Sequence, residues 1–289
     1  MKVIDFKNAS CKHCYKCVRS CSVKAIKVKD AQATIMDDHC VLCGTCLENG
    51  SLYYTCTDKV KAFITMGEKT IVSLAPAYLG IFDYDKPGQV VDALLRLGFS
   101  EVRETAEGAA YVTEAYARLL EEGQMKNIIS TCCPSVNELV EKYYPELVEY
   151  MAPVVSPMIA HGKLIKSMYG PDVKVVFVGP CIAKKQEAEG DDRTTGFVDA
   201  VLNFEEIESW LQERDISIRE CEGKQPTNPD PKVNRLYPVT SGVISSVLAK
   251  KKVDSYKKIF VDGIEDCREV FEDMKKGLID GCFIEANMC

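Results

Sequence analysis

The sequence predicts an α/β protein with parallel sheets arranged in two lobes, preceded by a small cysteine-rich unit. Three observations carry this. From about residue 60 onward, short runs rich in Val, Ile and Phe alternate with amphipathic stretches long enough for helices, which is the pattern of βαβ units. Before that point cysteine is dense and hydrophobic runs are short. Finally, "KQPTNPDPKVN" (224–234) holds three prolines among polar residues, reads as a loop, and is expected to separate the two lobes.

The elements follow in order. "KTIVSLAPA" (69–77) is a buried strand running into a turn, and "PGQVVDALLRLGF" (87–99) and "EGAAYVTEAYARLLEEG" (107–123) have helical spacing. "NIISTCCP" (127–134) is a second strand, followed by the helix "SVNELVEKYYPEL" (135–147). "VKVVFVGPC" (173–181) is a third strand, and "FEEIESWLQERD" (204–215) and "TSGVISSVLAKKK" (240–252) are helices. "YKKIFVDG" (256–263), "EDCREVFEDMKKG" (265–277) and "GCFIEANMC" (281–289) complete a strand–helix–strand unit. Helical crossovers between strands favour parallel pairing and right-handed connections.

Composition bounds the function. A chain of 289 residues, 46% apolar, can bury a sizeable core divided into two or three units. No charged-then-apolar leader pattern and no run of about 18 apolar residues occurs, so export and membrane spanning lack support and the cytoplasm is expected. In a reducing compartment, fifteen cysteines read as metal ligands before disulfides. A net charge of -7 argues against nucleic acid as a partner. The first 30 residues are nevertheless basic, with eight Lys/Arg against Asp5 and Asp30. Cations around an anionic thiolate cluster explain that without a phosphate ligand.

The cysteine runs are the strongest signal. Cys11, Cys14 and Cys17 recur 29 positions later as Cys40, Cys43 and Cys46, while the fourth cysteine of the first run, Cys21, maps onto Gly50. Three closely spaced thiols plus a fourth, given twice, suit iron–sulfur clusters better than zinc, which uses paired knuckles. The repeat resembles the bacterial two-cluster ferredoxin domain, in which each fourth cysteine serves the other cluster. That resemblance implies an α+β unit over 1–62 with two [4Fe-4S] clusters, one held by Cys40, Cys43, Cys46 and Cys21. The other would be held by Cys11, Cys14, Cys17 and, in place of Gly50, Cys56. A longer loop to the last ligand costs little closure entropy. Ser22 stands where a proline usually follows the fourth cysteine.

In the larger part, Cys132, Cys133, Cys181 and Cys289 all fall at strand carboxyl ends, the side on which open α/β sheets bind ligands. Cys221, Cys267 and Cys282 read as small buried hydrophobes. "TCCPSVNELVEKYYPEL", "VGPCIAKKQEAE" and "FIEANMC" resemble the signature segments of the iron-only ([FeFe]) hydrogenases, and with the cysteine-rich start the resemblance covers essentially the whole chain. It implies that residues 63–289 form a two-lobed domain holding an H-cluster, a [4Fe-4S] cubane bridged to a two-iron unit with CO, cyanide and a dithiolate.

Carried over, Cys133, Cys181 and Cys289 match cubane ligands, Cys132 the proton-relaying cysteine, and Lys184 the lysine that hydrogen-bonds a cyanide. Pro76, Ala77 and Pro180 match positions lining the cofactor, and Glu187 and Glu285 match carboxylates that orient it. Implied partners are H2 and protons, and a redox protein or downstream signalling domain.

Four departures stand out. Gly179 and Asn287 occupy positions usually held by methionine, Val136 replaces a tryptophan, and "APAYLG" lacks a usual serine and arginine. These losses resemble the sensory branch of the family, with H2 as a signal. The family's fourth cubane cysteine would follow four residues beyond Cys289, so on this reading the chain as it stands is expected to be inactive. Two rival readings are a hydrogenase-like iron–sulfur assembly factor without the two-iron unit, and a ferredoxin-type electron-transfer module. Lys184 and Cys132 weigh against the first, and the long α/β part weighs against the second.

Overall fold

A computed structural model describes residues 2–6, 11, 13–30, 32–251 and 255–289. Lys7 and Lys12 of the basic start, and Lys252 at the end of an expected helix, lie outside the described residues.

The N-terminal unit contains β1 (Ile4–Asp5), α1 (Lys16–Ser20), β2 (Ile26–Lys29), β3 (Gln32–Ile35) and β4 (Leu52–Tyr53). β1 pairs antiparallel with β4, and β2 with β3, so two small ladders flank the cysteine loops. The 29-residue repeat is written in the backbone as well. Positive φ occurs at His13 and Tyr15, and again at Leu42 and Gly44. Such alternations turn successive N–H groups toward one side, which makes a concavity suited to an anionic group.

Next come α2 (Thr57–Thr65), β5 (Thr70–Leu74), α3 (Gly88–Arg96), β6 (Glu101–Glu104), α4 (Ala106–Glu122), β7 (Ile128–Ile129) and α5 (Pro134–Tyr143). They are followed by α6 (Pro157–Tyr169), β8 (Lys174–Val178), α7 (Ala183–Glu189), β9 (Ala200–Leu202) and α8 (Phe204–Glu213). The chain closes with α9 (Gly242–Lys250), β10 (Lys257–Asp262), α10 (Ile264–Lys275) and β11 (Cys282–Asn287). α2 runs through the expected 62/63 boundary, and its Val60 is fully buried with Ile71 and Leu94 in the first lobe.

Two parallel sheets define the lobes. One has the order β6-β5-β8-β9, the other β10-β11-β7. All of β5 is buried and β8 nearly so, as expected of strands covered on both faces. In the first sheet the chain moves from β5 outward to β6, then returns to β5's other side as β8. The crevice between β5 and β8 is therefore the topological switch point, where α/β sheets place ligands.

The lobes are interleaved. β7 and α5 belong to the second sheet but precede β8 and β9 of the first, so the loop expected at 224–234 carries only one of several crossings. It lies along the edge of the first sheet, where Thr227 N–H bonds Val102 O at 2.9 Å and Asn228 accepts from Glu104 N–H at 2.7 Å.

α4 joins the lobes. At Gly108 a Cβ would lie 2.5 Å from Pro157 O and 2.6 Å from His161 Cβ, so α4 and α6 pack at backbone contact. Just over two turns along, Tyr116 packs on Phe283 of the second sheet. Glu107 on α4 contacts His161 Nε2 at 3.1 Å, and His161 Nδ1 lies 2.7 Å from the Ser73 hydroxyl. Burial holds His161 below the usual imidazole value and therefore favours its neutral form.

Candidate metal centres

The strand ends bring the expected residues of the larger part together. Cys132 and Cys133 follow β7, and Pro134 starts α5 at its first position, where a missing N–H costs nothing. Cys181 follows β8 and precedes α7, while Cys289 follows β11. The three thiols of Cys133, Cys181 and Cys289 are electrostatic neighbours: Cys289 raises Cys133, Cys133 raises Cys181, and Cys181 raises Cys289. Burial is the larger cause in each case and takes Cys181 to about 11. Backbone N–H groups oppose it, from Met288 and Val136 at Cys133 and from Lys184 and Ala183 at Cys181. N–H donors aimed at sulfur stabilise thiolates, as cluster ligation requires.

Lys184 is buried beside them. Its Nζ donates to Cys132 O at 3.1 Å and to Glu187 Oε2 at 2.6 Å. Burial works against the ammonium, but Glu187, Cys181 and Cys132 more than offset it and hold Lys184 above its usual value. The Cys132 thiol is pushed up to about 12 by burial, so it is a neutral S–H at physiological pH. Pro76 and Ala77 are half-buried in the turn after β5, across the switch point from Cys181, whereas Pro180 is exposed. Glu285 is fully buried on β11 and accepts from Ile244 N–H at 2.8 Å, at the start of α9.

The departures from the family pattern have structural counterparts. A Cβ at Gly179 would lie 2.7 Å from Phe177 ring carbons and 2.9 Å from Ala75 Cβ, so Phe177 already occupies the space a larger side chain would need. Asn287 donates to Asp262 at 3.2 Å, and Val136 is wholly buried in the second lobe.

Tyr116 was not legible as a site residue. Its hydroxyl accepts from Thr131 N–H at 2.9 Å and lies 3.6 Å from Cys132 Sγ. It sits mid-helix on α4 and has no local motif around it, so only the packing of α4 on the second sheet reveals it. Cys221, Cys267 and Cys282 are buried, as expected of small apolar fillers.

In the N-terminal unit, Cys21, Cys40, Cys43 and Cys46 line one tight cavity of about 20 Å³. Cys21 Sγ accepts from Ala25 N–H at 3.2 Å and Cys40 Sγ from Leu42 N–H at 3.4 Å. Burial is the main cause that raises Cys40, to about 11, with Cys46 and Cys43 contributing. This set packs against the larger part. Cys46 shares a hydrophobic cluster with Ile182, the neighbour of Cys181, and Cys21, Cys40 and Cys43 border the second lobe's core beside Cys133. Ser135 donates to Leu42 O at 3.2 Å and Lys142 to Cys40 O at 2.7 Å.

Cys11, Cys14 and Cys17 line a second, wider cavity of about 310 Å³. Cys56, expected to complete this set, is not among its lining residues. It is buried in the first lobe's core as the residue before α2. Its N–H bonds Glu206 at 3.0 Å and its Sγ faces Glu189 at 3.8 Å. That placement has a simple cause. The apolar face of α2 docks on the first lobe and takes Cys56 with it.

Fold and site together define a two-lobed α/β protein that brings cysteines from both sheets near one another at the strand ends, although among the described residues no group of three or more His, Cys, Asp or Glu is arranged to hold a single metal ion. The chain belongs to the family described as the C-terminal domain of the iron only hydrogenase large subunit, which it matches over residues 68–289. It is 29% identical over 225 residues to iron hydrogenase 1 of Clostridium pasteurianum, covering 68% of this chain and 38% of that one. It is 29% identical over 210 residues to the periplasmic [Fe] hydrogenase large subunit of Nitratidesulfovibrio vulgaris, covering 63% and 49%. With the NADP-reducing hydrogenase subunit HndD of Solidesulfovibrio fructosivorans it shares 24% over 283 residues, covering 82% and 48%.

The chain thus spans about half the length, or less, of these relatives. Its fold is similar to that of an [FeFe]-hydrogenase studied for H-cluster assembly, with a TM-score of 0.62, 19% identity and 82% coverage of each chain. An apo [FeFe]-hydrogenase of Chlamydomonas reinhardtii gives a TM-score of 0.60 at 17% identity, covering 81% of this chain and 82% of the other.

The residues present fit the family's cluster in kind. Soft thiol donors from both sheets are electrostatic neighbours, with backbone N–H groups bonded to two of them and the cationic Lys184 on the Cys132 carbonyl. Among the described residues, no helix is long and apolar enough to cross a membrane.

Proposed function

We propose that this protein is an [FeFe]-hydrogenase-type oxidoreductase whose N-terminal unit, a ferredoxin-like relay, carries electrons to or from a site for H2 and protons between the lobes. The observation that carries the reading is the meeting of Cys133, Cys181 and Cys289, from strand ends of both sheets, beside Cys132 and Lys184. Cys133, Cys181 and Cys289 would hold the cubane, and the two-iron unit bridged to it would supply reversible H2 cleavage. The Lys184 ammonium, held charged by Glu187, is a donor for an anionic ligand such as cyanide. Cys132, a neutral buried thiol, is the group that passes a proton between the site and Tyr116.

Electrons would run from the Cys11/Cys14/Cys17 site through the Cys21/Cys40/Cys43/Cys46 site to Cys181 and Cys133, the order in which the three sets pack. Gly179, with Phe177 filling the space beside it, leaves out the side chain that active relatives usually carry there, which supports a sensory role with slow turnover. Fifteen unpaired cysteines suit a reducing compartment, which supports a cytoplasmic setting.

The test is infrared spectroscopy of the iron-reconstituted protein, extended so that a fourth cubane cysteine follows Cys289, after supply of a maturase-delivered two-iron precursor. CO and cyanide stretching bands that disappear in Cys181→Ala are expected. Absence of bands in a protein whose iron–sulfur clusters are fully loaded would turn the assignment to an assembly factor instead.

A further inference from the structure

The two N-terminal cavities are related by the 29-residue repeat, yet only one is closed by four cysteines. Around the second set, Cys21 arrives from the first run and the cavity shrinks to about 20 Å³. Around the first set, the repeat-related position is Gly50, and the cavity stays open at about 310 Å³, with His13, Glu48, Asn49 and Gly50 among the other residues that line it. The relation is visible in the packing. Asn49, which precedes Gly50, donates to the hydroxyl of Ser20, which precedes Cys21, at 3.2 Å. All fifteen cysteines are among the described residues, and none but Cys11, Cys14 and Cys17 lines this cavity.

Cys56 is held elsewhere. It lies 1% exposed in the first lobe's core, its N–H engaged by Glu206 and its thiol by Glu189. Moving it to the cavity would unwind the start of α2 and strip Glu206 of a buried partner.

We infer that the Cys11/Cys14/Cys17 site is a three-thiolate site in which one iron of a [4Fe-4S] cluster has no cysteine ligand and is exchangeable. This rests on the proposed reading of the N-terminal unit as an iron–sulfur relay. Loss of that iron as Fe2+ from a [4Fe-4S]2+ cluster leaves [3Fe-4S]+ and releases one electron, so it needs a one-electron oxidant such as ferricyanide. Added Fe2+ and a one-electron reductant reverse it, and the vacant corner accepts a small oxygen- or nitrogen-donor ligand in place of thiolate.

The full chain, reconstituted anaerobically, is treated with ferricyanide and a chelator, then assayed for iron and by EPR. About one iron per chain is expected to leave the site, on the four-iron count per cubane, with the EPR signal of an oxidised three-iron cluster. Measured in a Cys181→Ala background, where the lobe's own three-cysteine set is broken, that signal should persist, and it should vanish when Cys14→Ala is added, which assigns it to the N-terminal site and not to the lobe site. Cys56→Ser should match wild type in iron and in signal.

Gly50→Cys has open space, with nothing within 4 Å of its Cβ despite φ +95°, and should retain the iron under the same oxidation. Full iron retention with no three-iron signal in wild type, or loss of the cluster in Cys56→Ser, would overturn the inference while leaving the relay intact. A protein that binds no iron at either N-terminal site would instead sink the relay reading itself.

Discussion

Glu285 shows how one buried carboxyl ties stability to pH. It is 0% exposed on β11, and burial raises its carboxyl above the ordinary value of 4.5, with the Ile244 and Val243 N–H groups opposing this. A raised acid pKa means that the folded state binds the proton more tightly than the unfolded state. The stability linked to it is therefore fully present below pH 4.5 and is lost as pH rises through the folded-state value. Glu285→Gln keeps an acceptor for Ile244 and removes the charge. Thermal unfolding of the apo protein should find it indistinguishable from wild type in acid and increasingly more stable than wild type toward neutrality. A constant difference at every pH would mean that Glu285 does not titrate in this range.

At the scale of elements, Glu206 ties three helices together. Its carboxylate accepts from Asn203 N–H at 2.8 Å at the start of α8, from Lys185 Nζ at 2.8 Å on α7, and from Cys56 N–H at 3.0 Å before α2. Lys185 is 1% exposed and also donates to Val201 O at 2.7 Å. Removing one member of a buried, hydrogen-bonded ion pair leaves the other uncompensated. Glu206→Ala should therefore cost about 3–5 kcal/mol in denaturant unfolding of the apo protein. Glu206→Gln, which keeps the shape and one acceptor, should cost less. Equal losses in the two variants would show that packing, not charge, sets the penalty. The same knot explains why Cys56 stays with the lobe: its backbone is one of the partners.

Over the whole molecule, the proposed site draws its ligands from both sheets. Cys133 and Cys289 come from the second and Cys181 from the first, with α4 and α6 packed across the junction. A cluster bound only by the folded state stabilises every element its ligands belong to. Loading the lobe site should slow amide hydrogen exchange at 130–134 and 286–289 and, in parallel, at 179–184. Protection confined to one lobe would mean that the other lobe contributes no ligand.

The sequence by itself determined the α/β fold class of the larger part and marked the candidate thiols. Strand-ending cysteines, the runs at a spacing of 29 and the βαβ alternation are local patterns, and each is set by the geometry of a short segment. It also carried the buried neutrality of Cys221, Cys267 and Cys282, because an isolated cysteine in an apolar context behaves as a small hydrophobe.

What only the tertiary structure decided are the long-range partners. Tyr116 reaches Cys132 through the packing of α4 on Phe283, sixteen positions from its contact in sequence. The interleaving of β7 among the strands of the other lobe depends on which sheet a two-residue strand joins, and β11 supplies that pairing from the far end of the chain. Gly50 could be read as a missing ligand, but not what replaced it. Cys56 is held in the core under α2 by burial and by Glu206, 150 residues away, which only the tertiary structure could show.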